Sequence, residues 1–101
     1  MTRIVRFSPE AEADILRLYD YIADQSGRER ALAYTDRIRE YCMGFAEFAE
    51  RGTRRDLWSG LRIIGFEKRA VIAVHVTADR VTIDRVLYGG RDLGAALGGR
   101  E

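Results

Sequence analysis

The sequence predicts an α+β domain of the order β-α-α-β-β-β, in which a hairpin of two helices packs on one face of an antiparallel sheet. Three apolar, β-branched runs occupy residues 61–66, 70–77 and 81–88, with three residues in each gap between them. Such gaps fit hairpin turns, whereas parallel neighbours need a much longer crossover. Upstream, apolar residues recur at steps of three and four, the spacing of helices with one buried face. The last third of the chain is therefore expected to form a meander covered by the two helices.

A short β-prone run and a clear helix start make up the first elements. Residues 3–7 (RIVRF) predict a further strand of the same sheet. Ser8 is suited to cap a helix and Pro9 to occupy its first position. The helix is expected to end at Gly27, a residue suited to the turn that follows a helix. Its apolar stripe consists of Ala11, Ile15, Leu18 and Ile22, with Tyr19 beside them.

A second helix is predicted over residues 28–50, and the tight turn before it predicts an antiparallel helical hairpin. Its stripe consists of Ala31, Tyr34, Ile38, Tyr41, Phe45 and Phe48. Together with Tyr19 and Tyr21, the tyrosines of this stripe give the hairpin a surplus of aromatic side chains. Two interpretations are open: the rings pack the core, or they line a groove for a helix of a partner protein.

The two faces of the meander differ in character. On its middle run, Ile72, Val74 and Val76 predict the face that points to the core. The alternate positions are smaller and include His75, so the other face is mixed in character. A mixed, partly open face is where a partner or substrate could dock.

Composition excludes several classes of protein. The chain has 101 residues, of which 47% are hydrophobic and 33% charged, as in one globular domain. We place that domain at residues 1–93 and expect residues 94–101 to form a flexible tail. No apolar run reaches the length of a membrane span and no signal peptide is recognised. The single cysteine, Cys42, favours a reducing cytoplasm. A single cysteine and a single histidine predict neither a disulfide within the chain nor a zinc site, and no cofactor is expected.

Charge is distributed unevenly along the chain. Residues 1–50 carry 7 basic and 10 acidic side chains, whereas residues 51–101 carry 10 basic and 6 acidic ones. The basic residues of the second half are almost all arginines, which suit bidentate contacts with carboxylates or phosphates. A solvated surface of mixed charge explains the imbalance equally well, so it does not by itself predict binding to nucleic acid.

Four segments, taken in order, resemble the ParE branch of the RelE/ParE toxin superfamily. They are residues 8–14 (SPEAEAD), 21–23 (YIA), 60–62 (GLR) and 85–93 (RVLYGGRDL). The resemblance implies a cytoplasmic toxin of a type II toxin–antitoxin (plasmid stabilisation) operon. Its implied partners are a cognate antitoxin of the ribbon-helix-helix type and, only through that antitoxin, operator DNA. ParE-type members are associated with inhibition of DNA gyrase, whereas RelE-type members cleave mRNA on the ribosome.

The residues themselves bear on these two activities. Metal-free cleavage of RNA needs a group that takes the 2′-OH proton, a group that protonates the leaving oxygen, and cations for the phosphate. Arg62 and Arg91 resemble the phosphate-binding arginines of the RNase branch. RelE-type toxins also carry a Tyr or His a few residues after the second arginine, and residues 92–98 (DLGAALG) contain neither.

Three other residues are possible substitutes for the missing acid. We interpret His75 as a packing residue within a strand, Tyr88 as an aromatic residue at a strand end, and Glu67 as a solvated turn residue. These interpretations count against the RNase activity, and the resemblance to the ParE branch favours a non-enzymatic inhibitor of gyrase. The alternatives are a ribosome-dependent mRNA endonuclease and an inactive member that only pairs with its antitoxin.

Two sites are expected on this toxin-like chain. The glycines after Tyr88 let the backbone turn sharply and approach a partner closely. The predicted target-binding residues are Arg91, Asp92, Tyr88 and Arg62. The antitoxin is expected to lie over the helical hairpin as an amphipathic helix whose acidic groups meet arginines. The predicted antitoxin-binding residues are Tyr19, Ile22, Tyr34, Tyr41, Arg62 and Arg85, and no catalytic or metal-binding residue is assigned.

Overall fold

A computed structural model of the chain describes residues 2–47, 53–54, 61–67 and 69–88. The helical part consists of α1 (Pro9–Ser26), α2 (Arg28–Met43) and a 3-10 turn (Gly44–Ala46). The strands are β1 (Ile4–Phe7), β2 (Thr53–Arg54), β3 (Leu61–Phe66), β4 (Ala70–Val76) and β5 (Arg80–Tyr88). The predicted α+β class, with a helical hairpin on a sheet, is confirmed.

The strands form one sheet of order β1-β5-β4-β3-β2. The pairs β3–β4 and β4–β5 are antiparallel, which confirms the meander. The sheet as a whole is mixed rather than antiparallel, because the added strand β1 runs parallel to β5. The two strands are separated in sequence by both helices, so the chain has ample length to return in the parallel direction. Strand β2 was not predicted; it pairs with β3 over two residues.

Helix α1 begins as the sequence predicts. The Ser8 hydroxyl accepts a hydrogen bond from the backbone N–H of Ala11 at 2.9 Å, and Pro9 occupies the first turn. The same hydroxyl donates to the backbone carbonyl of Asp84 at 2.8 Å, which fastens the start of the helix to β5. Gly27 ends the helix with φ of 97°, a conformation that side chains other than glycine rarely adopt.

Helix α2 is shorter than predicted. It ends at Met43, and the 3-10 turn follows it directly. The backbone N–H of Arg3 donates to the carbonyl of Ala46 at 2.8 Å, and the Phe45 side chain is almost fully buried. These contacts hold the 3-10 turn against β1 and the core, so the chain cannot continue along the axis of α2. The last predicted helical residues, 48–50, lie outside the described part of the chain.

The core lies between the helical hairpin and one face of the sheet. Its buried members include the predicted residues Ile15, Leu18, Ile22, Ile38, Phe45, Ile72 and Val74, and Val76 packs against them partly buried. Three further apolar side chains, Leu61, Ala73 and Leu87, are buried outside this cluster. They occupy the alternate positions of their strands, so they belong to the opposite face of the sheet.

Strand β5 contains a bulge that changes which of its side chains face the core. Ala73 of β4 pairs with Arg85, whereas the next residue, Val74, pairs with Ile83. One residue, Asp84, is therefore extra on β5. As a consequence, Ile83 and Val86 both lie in the core although they are three residues apart.

Candidate functional site

A pocket of about 530 Å³ opens where the helical hairpin meets the sheet. The end of α1, residues 30–37 of α2, the turn between β3 and β4, and the end of β5 surround it. Six of its lining residues are aromatic or basic: Tyr21, Tyr34, Tyr88, Arg30, Arg37 and Arg69. No acidic residue lines the pocket among the described residues. The site therefore combines ring surfaces with positive charge.

A row of ring contacts explains the surplus of aromatic residues on the hairpin. Tyr88 contacts Tyr21 and Tyr34 edge to face, with ring centroids 5.7 and 5.8 Å apart. Tyr34 also contacts Phe66 at 5.8 Å, and Phe66 contacts Tyr41 at 5.1 Å. The row packs α2 against the ends of β3 and β5. Of the two interpretations drawn from the sequence, core packing is what these contacts show.

Tyr34 is the most constrained ring of the row. Burial, followed by the neighbouring Tyr88 and Glu67, raises the pKa of Tyr34 to about 12. Its hydroxyl is buried and finds no hydrogen-bond partner among the described residues. The guanidinium of Arg37 lies over the ring, 5.1 Å from its centroid. Tyr34 is thus a neutral ring whose face is covered by a cation.

Arg37, which lines the pocket, forms an ion pair with Glu67 of the β3–β4 turn. Arg37 donates two hydrogen bonds to the Glu67 carboxylate, from Nε at 2.9 Å and from Nη2 at 3.0 Å. This hydrogen bond lowers the pKa of Glu67 and raises that of Arg37. Glu67 has φ of 50°, the only positive value at a residue other than glycine in the described part of the chain. The interpretation of Glu67 as a solvated turn residue is confirmed, since it is exposed in the turn after β3, and the structure adds its ion pair with Arg37.

Arg85 makes a buried ion pair with Asp14 of α1. Arg85 Nε donates to Asp14 Oδ2 at 2.7 Å, and the backbone N–H of Val86 donates to the same oxygen at 2.9 Å. The Asp14 side chain is only 1% exposed. Burial disfavours the charged carboxylate, but hydrogen bonds from Arg85, Val86 and Arg17 outweigh it and lower the pKa of Asp14. Sequence reasoning missed Asp14, although a carboxylate between Ala11 and Leu18 on the buried stripe was a usable signal.

The structure brings some of the predicted site residues together and separates others. Ile22 and Tyr34, predicted to bind the antitoxin, line one pocket with Tyr88, predicted to bind the target. Arg62 pairs across the strands with Val74, so it lies on the helix-facing side of β3, half-buried. It is four residues from Phe66, or about 13 Å along the strand, and so stands apart from Tyr88.

The other predicted site residues have separate surroundings. Tyr19 and Tyr41 are half-buried and pack against the core. Arg85 is held by Asp14, so its predicted contact with an antitoxin would require it to share or leave that pair. Arg91 and Asp92, together with the tail at residues 94–101, lie outside the described residues.

A second polar arrangement lies on the sheet face opposite the helices. His75 Nδ1 and Asp84 Oδ2 are in hydrogen-bond contact, and the two side chains are 39% and 27% exposed. Thr82 pairs with His75 on one side and with Arg6 of β1 on the other. Strands are about 4.8 Å apart, which places Arg6 about 10 Å from His75. His75 is therefore a polar residue of the open face, engaged by a carboxylate.

No group of three or more His, Cys, Asp or Glu side chains among the described residues is arranged to hold a metal ion. None of the described helices is long and apolar enough to cross a membrane.

Comparison with known proteins places the chain among toxins. Residues 5–93 match the family model described as the ParE toxin of the type II toxin–antitoxin system parDE. A solved chromosomal ParDE system from P. aeruginosa matches with a TM-score of 0.76 and 21% identity, over 86% of this chain and 96% of that one. The search of curated proteins gave no match.

Two further solved structures share the fold. The toxin–antitoxin complex RelBE2 from Mycobacterium tuberculosis has a TM-score of 0.63 and 18% identity, over 90% of this chain and 95% of that one. The E. coli DinJ–YafQ complex has a TM-score of 0.55 and 15% identity, over 98% and 100% of the two chains. At these identities the likeness concerns the fold alone.

Proposed function

The chain belongs to the ParE family of type II toxin–antitoxin toxins, and on that premise we propose that it poisons DNA gyrase by binding to it, without catalysing a reaction. A cognate ribbon-helix-helix antitoxin neutralises it in the cytoplasm and carries it to operator DNA. The observation behind this proposal is the match of residues 5–93 to the ParE model, which includes every described helix, strands β2 to β5 and all but the first residue of β1.

The antitoxin surface in this proposal is the helical hairpin and the adjoining edge of the sheet. Strand β2 pairs only with Arg62 and Ile63, so the later part of β3 has no described neighbour on that side. An amphipathic helix over the hairpin can reach Tyr19, Ile22, Tyr34 and Tyr41, and a following extended segment can add to this edge. Acidic groups of the antitoxin meet Arg62, and Arg85 contributes to the extent that it shares its contact with Asp14.

The gyrase contact in this proposal is centred on the end of the meander. Tyr88 ends β5 beside the pocket, and Arg91 and Asp92 follow it in the sequence. Arg62 supplies a second guanidinium on β3. Because Tyr88 shares the pocket with Ile22 and Tyr34, an antitoxin on the hairpin also covers part of the target surface.

Two assays on the purified full-length chain test the proposal. The expected result is inhibition of gyrase-catalysed supercoiling that the antitoxin reverses, together with unchanged mRNA in a ribosome toeprint assay. Supercoiling that continues at a large excess of the chain would contradict gyrase as the target. A chain that binds antitoxin but is inert in both assays would be an inactive member that only pairs with its antitoxin.

One observation favours a second candidate function, cleavage of mRNA. Asp84 can orient the His75 imidazole, as carboxylates do for general bases, and Arg6 adds a cation on the same face. Cleavage in the toeprint assay that His75→Ala and Asp84→Asn abolish would support this candidate. If both variants inhibit gyrase as the unchanged chain does, the pair has only a structural role.

A further inference from the structure

We propose that the pocket formed by Tyr21, Tyr34, Tyr88, Arg30, Arg37 and Arg69 binds a nucleoside phosphate. The inference goes beyond the proposed toxin function, since it concerns a small-molecule ligand of the chain alone. It rests on the charge, the available ring surface and the size of this one site.

The charge of the pocket favours an anion with more than one negative charge. Three guanidinium groups line it, while the whole chain carries a net charge of only +1. Arg37 is held by Glu67, but Arg30 and Arg69 are exposed and have no ion pair among the described residues. Two guanidinium groups without an ion-pair partner at one opening suit a phosphate, which has several acceptor oxygens, better than they suit a single carboxylate.

The rings of the pocket supply a platform for a planar base. Arg37 covers one face of Tyr34, and Tyr88 lies between Tyr21 and Tyr34. The rings of Tyr34 and Tyr88 are therefore largely occupied by contacts within the protein. Tyr21 is 52% exposed and lies at the rim of the pocket. Any of the nucleobases can stack on an exposed aromatic ring, because every base has a π-face. Tyr21 is therefore the stacking residue of the site.

The dimensions and remaining polar groups agree with this ligand class. A volume of about 530 Å³ lies within the range of small-molecule sites, about 300–1,000 Å³. Gln25 and Ser26 at the end of α1 offer polar groups to a sugar or a base edge. Ile22 and Ala33 add an apolar wall beside the rings.

Calorimetric titration of the full-length chain with AMP and ADP tests the inference. We expect saturable binding of one nucleotide per chain, weakened at least about tenfold by Tyr21→Leu, as expected for the loss of one stacking contact. Tyr21→Phe keeps the ring and should keep the affinity. Arg69→Ala should weaken binding by a similar factor, whereas Arg80→Ala, at the opposite end of β5, should not.

Three results would overturn the inference. The first is no heat of binding at millimolar nucleotide by a chain whose circular dichroism shows it to be folded. The second is equal affinity for inorganic phosphate, which would leave the rings without a role. The third is displacement of the nucleotide by an acidic peptide that binds more tightly, which would identify the pocket as a protein-docking site. None of these measurements involves gyrase or antitoxin, so the outcome is separate from that of the proposed function.

Discussion

Asp14 of α1 and Arg85 of β5 form an ion pair 2.7 Å long, although they are 71 residues apart in sequence. The Asp14 carboxylate also accepts a hydrogen bond from the backbone N–H of Val86, next to the bulge of β5. The pair therefore holds α1 against β5. It does so at the bulge, where the shift in register places Val86 in the core.

Replacing Asp14 should destabilise the fold strongly. Asp14→Ala leaves Arg85 as a buried charge without its carboxylate, and removing one member of a buried pair typically costs about 3–5 kcal/mol. Urea unfolding at pH 7 measures the loss. Glu12→Ala is the matched control, because Glu12 pairs with Arg39 in a half-exposed setting and should change the free energy of unfolding by about 1 kcal/mol at most. Equal effects of the two variants would contradict a special role for Asp14.

Stability should also depend on pH through Asp14. Its pKa is lowered in the folded state, so the unfolded chain binds the proton more readily. The contribution of Asp14 is fully present above its ordinary pKa near 3.8 and is lost as the pH falls toward the lower folded value. Urea unfolding between pH 5 and pH 2 should show a smaller pH dependence for Asp14→Asn than for the unchanged chain. Parallel pH profiles would show that other carboxylates dominate.

Much of this fold follows from local patterns, and the exceptions have physical causes. The spacing of apolar residues predicted both helices and the meander, and the cap at Ser8 is where the sequence places it. The parallel pairing of β1 with β5 depends on where the chain returns after two helices, which no local pattern encodes. The early end of α2 depends similarly on the tertiary contact between Ala46 and Arg3.

The candidate site was less predictable than the fold. Tyr34 and Tyr88 were each singled out, but for different partners, and only the assembled fold puts their rings 5.8 Å apart. The ion pair of Glu67 was not predicted, because its partner, Arg37, lies 30 residues earlier on α2. The pocket is formed by α1, α2, the β3–β4 turn and β5 together, so its shape depends on packing rather than on any motif.

Tyr34→Phe should leave the fold as stable as before or more stable. The hydroxyl is buried without a hydrogen-bond partner among the described residues, and such a group costs free energy that phenylalanine avoids. The ring contacts with Tyr88 and Phe66 are kept. Thermal unfolding should show an unchanged or higher melting temperature, whereas Tyr34→Leu, which removes the ring, should lower it. A clear loss of stability in Tyr34→Phe would mean that the hydroxyl makes a contact that stabilises the fold.

Glu67 offers a test of backbone strain in the β3–β4 turn. Glu67→Ala loses the ion pair with Arg37 and keeps a side chain at φ of 50°, so it should be destabilised. Glu67→Gly loses the same pair but removes the strain, which is worth about 1 kcal/mol. The pair is half exposed and contributes about 1 kcal/mol at most. We therefore expect the glycine variant to melt above the alanine variant and close to the unchanged chain; the reverse order would contradict strain at this position.

Association with the antitoxin should depend on Arg62 and respond to salt. Replacing Arg62 by Ala removes a positive charge proposed to attract an acidic segment, which should slow association and flatten its dependence on salt. Stopped-flow mixing at low and high ionic strength measures both. Arg85→Ala should differ by lowering the melting temperature, because it breaks the pair with Asp14. Association rates of Arg62→Ala that equal those of the unchanged chain at every salt concentration would remove Arg62 from the antitoxin surface.

Arg91 should separate poisoning of gyrase from neutralisation. In the sequence it follows Tyr88, the last residue of β5, by three positions, after Gly89 and Gly90. If its guanidinium contacts gyrase, Arg91→Ala should keep the melting temperature and the affinity for antitoxin but weaken gyrase inhibition at least about tenfold, equivalent to about 1.4 kcal/mol. Deleting residues 94–101 should have a milder effect, because the tail is not the anchor. Full growth inhibition by Arg91→Ala, expressed at the normal level without antitoxin, would show that the target contact lies elsewhere.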